Sequence, residues 1–359
     1  MTVYRTADAL DGLHARLLAM DPADIVSISD FDLTLAVKPD INFHYVTLSR
    51  DQRSVLADAS DTLAATIILT ARGEASTLSG IFGNAAAFPT CLASNCGHHV
   101  LVDTSQPDAK RIRIPLEDED AERNLPTIMA SIRHVLTSVG TRFAHTDNTI
   151  TLNTSPVDIA INGHGMLTLD PRELSGAIVF ERISTEECAE LETLFDKTLE
   201  NLGPAASQFY HVSKKVPLPD GRVNGYIDLK PGGMSKGKTA LTLLGLPQFQ
   251  GKISARTHFL VAGDSAPDLE MMEAVSKRYG QDRVINIWVG DDKAVYDFDR
   301  KVPGMTFWNL PGCQVTSITA MYNMLRAAMA THARHPVATA HSIAPAGEHA
   351  WPTPVAHMV

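Results

Sequence analysis

The pattern of apolar and polar residues alternates between short apolar runs and longer amphipathic stretches. The runs at 26–29, 66–69 and 91–94 each carry Val, Ile or Leu, and short apolar runs of this kind are typical of buried strands. Segments 50–64 and 74–83, which lie between them, are predicted to be helices. The order of strand, helix, strand, helix and strand predicts an α/β fold with a doubly wound parallel sheet.

After residue 97 the pattern changes, and a separate α+β unit is predicted. Strands and helices no longer alternate regularly there, and Gly and Pro become frequent between them. The predicted elements are strands at 99–102, 111–116, 177–182, 209–216 and 223–229, a strand-like stretch at 142–152, helices at 117–139 and 184–202, and turns at 153–174.

The doubly wound pattern then returns, which divides the predicted core into two parts. A helix at 236–246 and a strand at 258–261 begin the second part, and a helix at 314–330 ends it. The remaining residues are rich in Pro, Ala and His without periodicity, which indicates a disordered tail. The predicted organisation is 1–97 for the first part of the core, 98–221 for the inserted unit, 222–330 for the second part of the core and 331–359 for the tail.

The composition is that of an ordinary globular protein, with 359 residues, 44% of them hydrophobic and 20% charged. A net charge of -10 argues against binding to nucleic acid, which requires basic excess. Four scattered cysteines are too few for a disulfide framework, so reduced thiols and a cytoplasmic location are expected. The first residues form an amphipathic helix rather than a signal peptide, and no apolar run reaches the length of a membrane span. No membrane partner is therefore expected.

Two carboxylates follow the first predicted strand in the sequence Asp30-Phe31-Asp32. Ligands of open α/β sheets bind at the carboxyl ends of the strands, which is where Asp30 and Asp32 are predicted to lie. Carboxylates this close repel each other unless a cation or a shared proton relieves them. The pair therefore indicates a site for a metal such as Mg²⁺, which prefers oxygen ligands. The alternative is an ordinary turn, since this tripeptide is common.

Three further features follow in a fixed order, each at a predicted strand end or helix start. They are Thr70, Lys236 and the sequence Gly263-Asp264-Ser265-x-x-Asp268. Thr70 alone could cap a helix, and Lys230 and Lys238 compete with Lys236. Together with the aspartate pair, however, the set resembles the haloacid-dehalogenase (HAD) superfamily of phosphohydrolases. The inserted unit is similar to the large cap of its sugar-phosphate phosphatases, the trehalose-phosphatase and phosphomannomutase branch.

The resemblance implies a Rossmann-like core with an inserted α+β cap, and a Mg²⁺-dependent phosphatase. Asp30 would be the nucleophile and form an aspartyl-phosphate, while Asp32 would serve as general acid and then as general base. Leu33 departs from the glycine that is commonest at its position, which makes the turn less typical. The implied metal ligands or metal-orienting groups are Asp30, Asp32 (through its backbone carbonyl), Asp264 and Asp268, and the implied phosphate- or substrate-binding residues are Thr70, Arg72 and Lys236.

Three alternatives stay open at this stage. A phosphomutase would use the same nucleophile but return the phosphoryl group to a sugar. Residues 232–239 fit the P-loop pattern G-x-x-x-x-G-K-[ST], which would suit a nucleotide-binding kinase or ATPase, although that reading leaves Asp30, Asp32 and Thr70 unexplained. A binding or regulatory protein could keep the fold without turnover. The expected partner is a small phosphorylated metabolite, and the sequence leaves the oligomeric state unknown.

Overall fold

The computed structural model of the chain describes residues 2–32, 34–35, 48–82, 91–102, 110–144, 150–153, 155–290 and 305–309. The strands of this part form two sheets, one of nine strands and one of five. The strands are β1 (Thr2–Arg5), β2 (Ile25–Ser29), β3 (Ala65–Leu69), β4 (Cys91–Ser94), β5 (His99–Val102), β6 (Lys110–Arg113), β7 (Val157–Ile161), β8 (Gly165–Pro171), β9 (Gly176–Ile183), β10 (Phe209–Pro217), β11 (Val223–Pro231), β12 (His258–Gly263), β13 (Val284–Trp288) and β14 (Thr306–Asn309). The α-helices are α1 (Thr6–Leu18), α2 (Arg50–Thr62), α3 (Glu74–Phe82), α4 (Glu119–Arg123), α5 (Leu125–Phe143), α6 (Thr185–Leu202), α7 (Lys236–Leu244), α8 (Pro247–Gln250) and α9 (Ala266–Tyr279).

The nine-stranded sheet has the order β1-β14-β13-β12-β2-β3-β4-β5-β6 and is parallel from β1 to β4. Every residue of β2, β3 and β13 is buried, because helices cover both faces of the sheet. Leu13 of α1 and Leu56 of α2 belong to the apolar cluster on one face. Leu243 of α7 and Met272 of α9 belong to the cluster on the other. This architecture confirms the predicted doubly wound α/β sheet.

The five-stranded sheet is entirely antiparallel, with the order β10-β11-β9-β8-β7. Helices α5 and α6 cover one face, where Ile132, Leu191 and Leu229 share an apolar core. Side chains alternate along a strand, so Asp228 and Lys230 lie on the opposite face. The sheet therefore has one apolar face under helices and one polar face, which agrees with the α+β character predicted for this region.

Two local predictions in this region are wrong. The stretch 153–174 was expected to be turns, but it contains the hairpin of β7 and β8, whose turn places Asn162 and Gly163 at φ of 45° and 74°. Residues typical of turns are so frequent in this stretch that its composition does not indicate the two short strands. The stretch 142–152 was expected to be a strand, but α5 continues to Phe143 and residues 150–152 are not in a strand. Val139 and Phe143 extend the buried face of α5 at helical spacing.

Sheet membership does not coincide with the boundaries expected for the inserted unit, 98 and 221. β5 and β6 continue the nine-stranded sheet, because a tight turn with left-handed Asn95 and Cys96 returns β5 antiparallel onto β4. β11 belongs to the five-stranded sheet, where it lies between β10 and β9. By sheet membership, both edges of the inserted unit lie closer to the C-terminus than expected, the first after Arg113 and the second after Pro231. The division into separate domains stays a prediction.

Some expectations concern residues that the structure does not describe. The helix predicted at 314–330, the tail at 331–359 and the side chain of Leu33 lie outside the described residues. Among the described helices, none combines the length and apolar character that crossing a membrane requires.

Candidate active site

Three neighbouring parallel strands end in the residues that the sequence singled out. β12, β2 and β3 are adjacent in the sheet, and Asp264, Asp30 and Thr70 follow them directly. The Asp30 N–H donates to Ala262 O at 3.0 Å, and the Thr70 N–H donates to Ala93 O at 2.9 Å. These backbone bonds continue the sheet by one residue and hold the side chains at its carboxyl edge, where α/β proteins bind ligands.

A buried lysine bridges two of the carboxylates. Lys236 begins α7, and its Nζ lies 2.6 Å from both Asp30 Oδ1 and Asp268 Oδ1. All three side chains are at most 6% exposed. Burial alone would lower the Lys236 pKa, but the two carboxylates outweigh it and raise that pKa. Burial raises the pKa of Asp30, which Lys236 counteracts and the neighbouring aspartates reinforce.

Asp268 also shapes the loop that carries Asp264. Its Oδ2 accepts hydrogen bonds from the Ser265 N–H at 2.9 Å, the Ser265 hydroxyl at 2.6 Å and the Asp264 N–H at 3.2 Å. A Cβ on Gly263 would lie 2.2 Å from the Cβ of Asp268, so glycine is required for this close approach. With both of its oxygens bonded inside the protein, Asp268 fixes the positions of Lys236 and Asp264.

Asp30, Asp264 and Asp268 form a cluster suited to a hard metal ion. One carboxylate oxygen from each lies within 4.8 Å of the others. Burial and the charge of Asp268 raise the Asp264 pKa to about 7, so Lys236 alone does not relieve the repulsion within the cluster. The Thr34 hydroxyl donates to Asp264 Oδ1 at 3.4 Å. Oxygen donors with unrelieved negative charge are what Mg²⁺ requires, and the residues therefore fit this ion.

The carboxylate of Asp32 lies outside that cluster and forms a two-bond ion pair with Arg72. Arg72 Nε lies 2.7 Å from Asp32 Oδ2, and Nη2 lies 2.6 Å from Oδ1. Arg72 is buried, and its guanidinium lies 5.9 Å from the centre of the Phe31 ring. Burial would lower the Arg72 pKa, but Asp32 outweighs it and raises that pKa. Arg72, expected to bind substrate, thus holds the expected general acid.

Thr70 is fully buried in the loop between β3 and α3. Its hydroxyl accepts a bond from the Arg72 N–H at 3.2 Å, and its carbonyl accepts one from the Cys96 N–H at 2.7 Å. Since α3 begins at Glu74, Thr70 is not the cap of that helix. The structure therefore brings Thr70, Arg72 and Asp32 together through these bonds, and joins Lys236 to the aspartate cluster through Asp30.

The segment with the P-loop pattern has a different role in the structure. Lys236 is occupied by the two aspartates, and Lys238 Nζ lies 3.9 Å from Glu117. Gly233 adopts φ of 77°, and a Cβ there would lie 2.3 Å from the backbone nitrogen of Asp118. The loop thus packs against two acidic residues that would repel a phosphate, and its preceding strand, β11, belongs to the antiparallel sheet. These contacts argue against the kinase or ATPase alternative.

The sequence reasoning missed two charged residues that face the site from the five-stranded sheet. Arg172 is buried and forms ion pairs with Asp170 at 2.8 Å and with Asp228 at 3.0 Å. Glu173 Oε2 accepts a bond from Asn95 Nδ2 at 2.8 Å. They lie in the stretch that was expected to consist of turns. The only sign of them in the sequence was the adjacent pair of opposite charges, Arg172 and Glu173, between apolar stretches.

Comparison with solved structures shows that the fold is similar to that of a trehalose-6-phosphate phosphatase domain, which agrees with the fold that the resemblance implied. The C-terminal domain of trehalose-6-phosphate phosphatase from C. albicans matches with a TM-score of 0.55 and 12% identity, over 90% of this chain and 98% of that one. Trehalose-6-phosphate phosphatase from Aspergillus fumigatus matches with a TM-score of 0.46 and 16% identity, over 91% of this chain and 99% of that one. A haloacid dehalogenase-like hydrolase from B. subtilis matches with a TM-score of 0.40 and 13% identity, over 82% of this chain and 98% of that one. No protein-family model and no curated protein matches the chain.

Proposed function

We propose that the chain is a Mg²⁺-dependent phosphomonoester hydrolase that forms an aspartyl-phosphate on Asp30. The observation that carries the proposal is the cluster of Asp30, Lys236, Asp264 and Asp268 at the ends of β2 and β12. Such a site combines a carboxylate nucleophile with cationic partners for the phosphoryl oxygens, which is what phosphoryl transfer needs. The ion pair between Asp32 and Arg72 supplies a second carboxylate with a separate environment.

Asp30 and Asp264 would hold the metal through their carboxylates, and Asp32 through its backbone carbonyl. Asp268 would orient the metal ligands rather than bind the metal itself, since both of its oxygens already accept bonds from the protein. A bound Mg²⁺ neutralises charge on the phosphoryl oxygens and orients the substrate. Thr70 and Lys236 would contact the remaining phosphoryl oxygens.

The chemistry divides between the two aspartates of the first motif. Asp32 first takes up a proton from solvent on one oxygen, which gives up its bond to Arg72. An oxygen of Asp30 then forms a bond to phosphorus while the bond from phosphorus to the leaving oxygen breaks, and Asp32 donates this proton to that leaving oxygen. Water then attacks phosphorus and gives its proton to Asp32, and the bond between phosphorus and Asp30 breaks. Phosphate leaves, and both aspartates return to their starting states. Arg72 orients the Asp32 carboxylate for both proton transfers.

A small sugar phosphate or a related phosphorylated metabolite is the proposed substrate. The polar face of the five-stranded sheet supports this, because Lys214 of β10 lies on it and its charge acts on the Asp264 pKa. Burial raises the pKa of Tyr226, to which the charges of Asp264 and Asp32 also contribute. These groups would surround a hydroxylated leaving group above the phosphate. The similar structure from C. albicans is a trehalose-6-phosphate phosphatase.

The test is phosphate release from a panel of phosphorylated metabolites, with the wild-type protein and with Asp30→Asn. We expect release from sugar phosphates that requires Mg²⁺ and that Asp30→Asn abolishes, because an amide is not a nucleophile toward phosphorus. Asp196→Asn, the same change at an exposed position of α6, is the matched control and should stay fully active. Full activity of Asp30→Asn would contradict the mechanism.

The same assay separates hydrolysis from the mutase alternative. A hydrolase releases phosphate from a monophosphate alone, whereas a mutase requires an activating bisphosphate and moves the group within the sugar. Release without a bisphosphate is the expected result. Binding without turnover of any phosphate ester would favour the regulatory alternative.

A further inference from the structure

The turn between β8 and β9, residues 172–175, connects the antiparallel sheet directly to the core loop that carries Thr70 and Arg72. Arg172 Nη1 donates to Ala71 O at 3.1 Å, which is the carbonyl between those two residues. This bond joins residues that are far apart in the sequence and belong to different sheets. We call residues 172–175 the docking turn.

Arg172 is fixed in place before it reaches the core. Its Nε is paired with Asp170 and its Nη1 with Asp228, and all three side chains are buried. The Asp32 carboxylate is also close enough to contribute to the raised pKa of Arg172. The guanidinium is therefore a rigid donor, whose position follows the antiparallel sheet and not the core.

Glu173 makes the second connection of the docking turn. Its Oε2 accepts bonds from Asn95 Nδ2 at 2.8 Å and from the Glu74 N–H at 3.3 Å. The Leu174 N–H donates in return to Asn95 Oδ1 at 3.3 Å. A Cβ on Gly73 would lie 2.9 Å from Glu173 Oε2, so the glycine allows this close approach. Asn95 thus bonds the docking turn through both ends of its amide.

The two halves of the core loop are held differently. Thr70 is bonded to the core itself, through Ala93 O and the Cys96 N–H. The Ala71 carbonyl instead receives its bond from Arg172 of the docking turn. The Arg72 carbonyl accepts a bond from the Asn95 N–H at 2.7 Å, and the Asn95 side chain is itself bonded to the docking turn. Displacement of the turn would therefore act on Ala71 directly and on Arg72 through Asn95, while Thr70 keeps its core contacts. Since Arg72 holds both oxygens of Asp32, the proton-transfer group would move with it.

We propose that Arg172 and Glu173 are positioning residues, through which docking of the antiparallel sheet onto the core places Arg72 and hence the Asp32 carboxylate for proton transfer. The inference rests on the proposed phosphatase function. It assigns to the docking turn the step that protonates the leaving oxygen, and it leaves the attack by Asp30 independent of the turn.

The leaving group of the substrate distinguishes this role from a merely structural one. An alkyl phosphate, such as a sugar phosphate, needs a general acid at its leaving oxygen. p-Nitrophenyl phosphate does not, because nitrophenolate leaves readily without a proton. The readout is kcat/KM, which reports only the steps up to release of the leaving group, because the later hydrolysis of the aspartyl-phosphate uses Asp32 for both substrates. A change that only misplaces Asp32 lowers kcat/KM for the first substrate and spares it for the second, whereas general damage to the site lowers both.

The variants exchange the donor and the acceptor of the hydrogen bond between Asn95 and Glu173. Asn95→Asp opposes two carboxylates, and the left-handed backbone there tolerates aspartate. Adding Glu173→Gln supplies an amide that donates to the new carboxylate and restores the bond. Asp220→Asn removes a carboxylate from the exposed β10–β11 turn at the opposite end of the same sheet and serves as the control. Circular dichroism and urea unfolding check that each variant is folded.

We expect Asn95→Asp to lower kcat/KM for the sugar phosphate at least about tenfold, a partial loss of the roughly 10²–10⁴-fold that general acid catalysis contributes. The kcat/KM for p-nitrophenyl phosphate should stay within about twofold, the double variant should recover most of the lost kcat/KM for the sugar phosphate, and the control should match wild type. Equal slowing of both substrates, no slowing of either, or no recovery in the double variant would overturn the inference while the wild type still releases phosphate. A wild type that releases none from either substrate would instead contradict the proposed function, and the inference with it.

Discussion

The raised pKa of Asp264 predicts that the metal-free protein loses stability as the pH rises. Burial and Asp268 raise this pKa from its usual 3.8 to about 7. A carboxyl group whose pKa is higher in the folded state binds its proton more tightly there, so its contribution is present below about pH 4 and is lost as the pH rises through 7. The pKa difference of about three units, at about 1.4 kcal/mol per unit, corresponds to ~4 kcal/mol of the free energy of unfolding. Partial screening by water reduces the expected loss of stability to about 2–4 kcal/mol.

Urea unfolding with EDTA at pH 5 and pH 8 measures the part of this loss that falls between pH 5 and pH 7, about two of the three units. Asp264→Asn carries a neutral amide at both pH values, so its free energy of unfolding should fall less between them, by about 1–3 kcal/mol. Mg²⁺ should raise the stability of the wild type at pH 8 and have a smaller effect on Asp264→Asn, because a ligand of the folded state stabilises it. The same pH dependence in both proteins would refute the reasoning about this cluster.

Two further predictions concern single contacts of the site. Arg72→Lys should lower kcat for alkyl phosphates about tenfold, because an ammonium group does not bridge both oxygens of Asp32 as the planar guanidinium does; unchanged steady-state kinetics would contradict this. Gly263→Ala should lower the free energy of unfolding by about 1–3 kcal/mol, since its Cβ would lie 2.2 Å from that of Asp268. Gly251→Ala, where no atom lies within 4 Å of the added Cβ, is the control in urea unfolding, and equal stabilities of the two variants would refute the close-approach argument.

Much of the core could be predicted from the sequence, because its strands are short apolar runs with both faces buried. Such runs are visible without any knowledge of their partners. The residues directly after them, Asp30, Thr70 and Asp264, could be placed at the same edge of the sheet because parallel strands share that edge. The helix starting after Ser184 was predicted from its capping signal, and the capping box of Ser184 and Glu187 is present.

The remaining features depend on pairings between distant residues. Nothing near Asp32 in the sequence indicates that Arg72 binds both of its oxygens, and nothing near Thr70 indicates that Arg172 contacts its loop. The hairpin of β7 and β8 was missed because its turn residues dominate a short stretch. The pair of strands that became β10 and β11 was predicted from local sequence, but the pairing of β11 with β9 depends on a distant segment and could not be.

The choice of Lys236 among the competing lysines shows how the structure adds to the sequence. Lys236, at a predicted helix start, was named ahead of Lys230 and Lys238, and the structure places its Nζ between Asp30 and Asp268. Lys230 is instead paired with Asp228 in the antiparallel sheet, and Lys238 lies near Glu117. The contacts support the choice, while the role of Lys236 on the phosphoryl group stays a prediction.

Phosphorylation of Asp30 during turnover is the step on which the proposed mechanism depends. The most direct measurement is acid quenching of the wild-type protein during turnover of a sugar phosphate with Mg²⁺, followed by mass spectrometry of its peptides. The mechanism predicts one phosphoryl group on the peptide that contains Asp30, on Asp30 itself, and none in Asp30→Asn. A phosphoryl group on another residue, or turnover by Asp30→Asn, would contradict it.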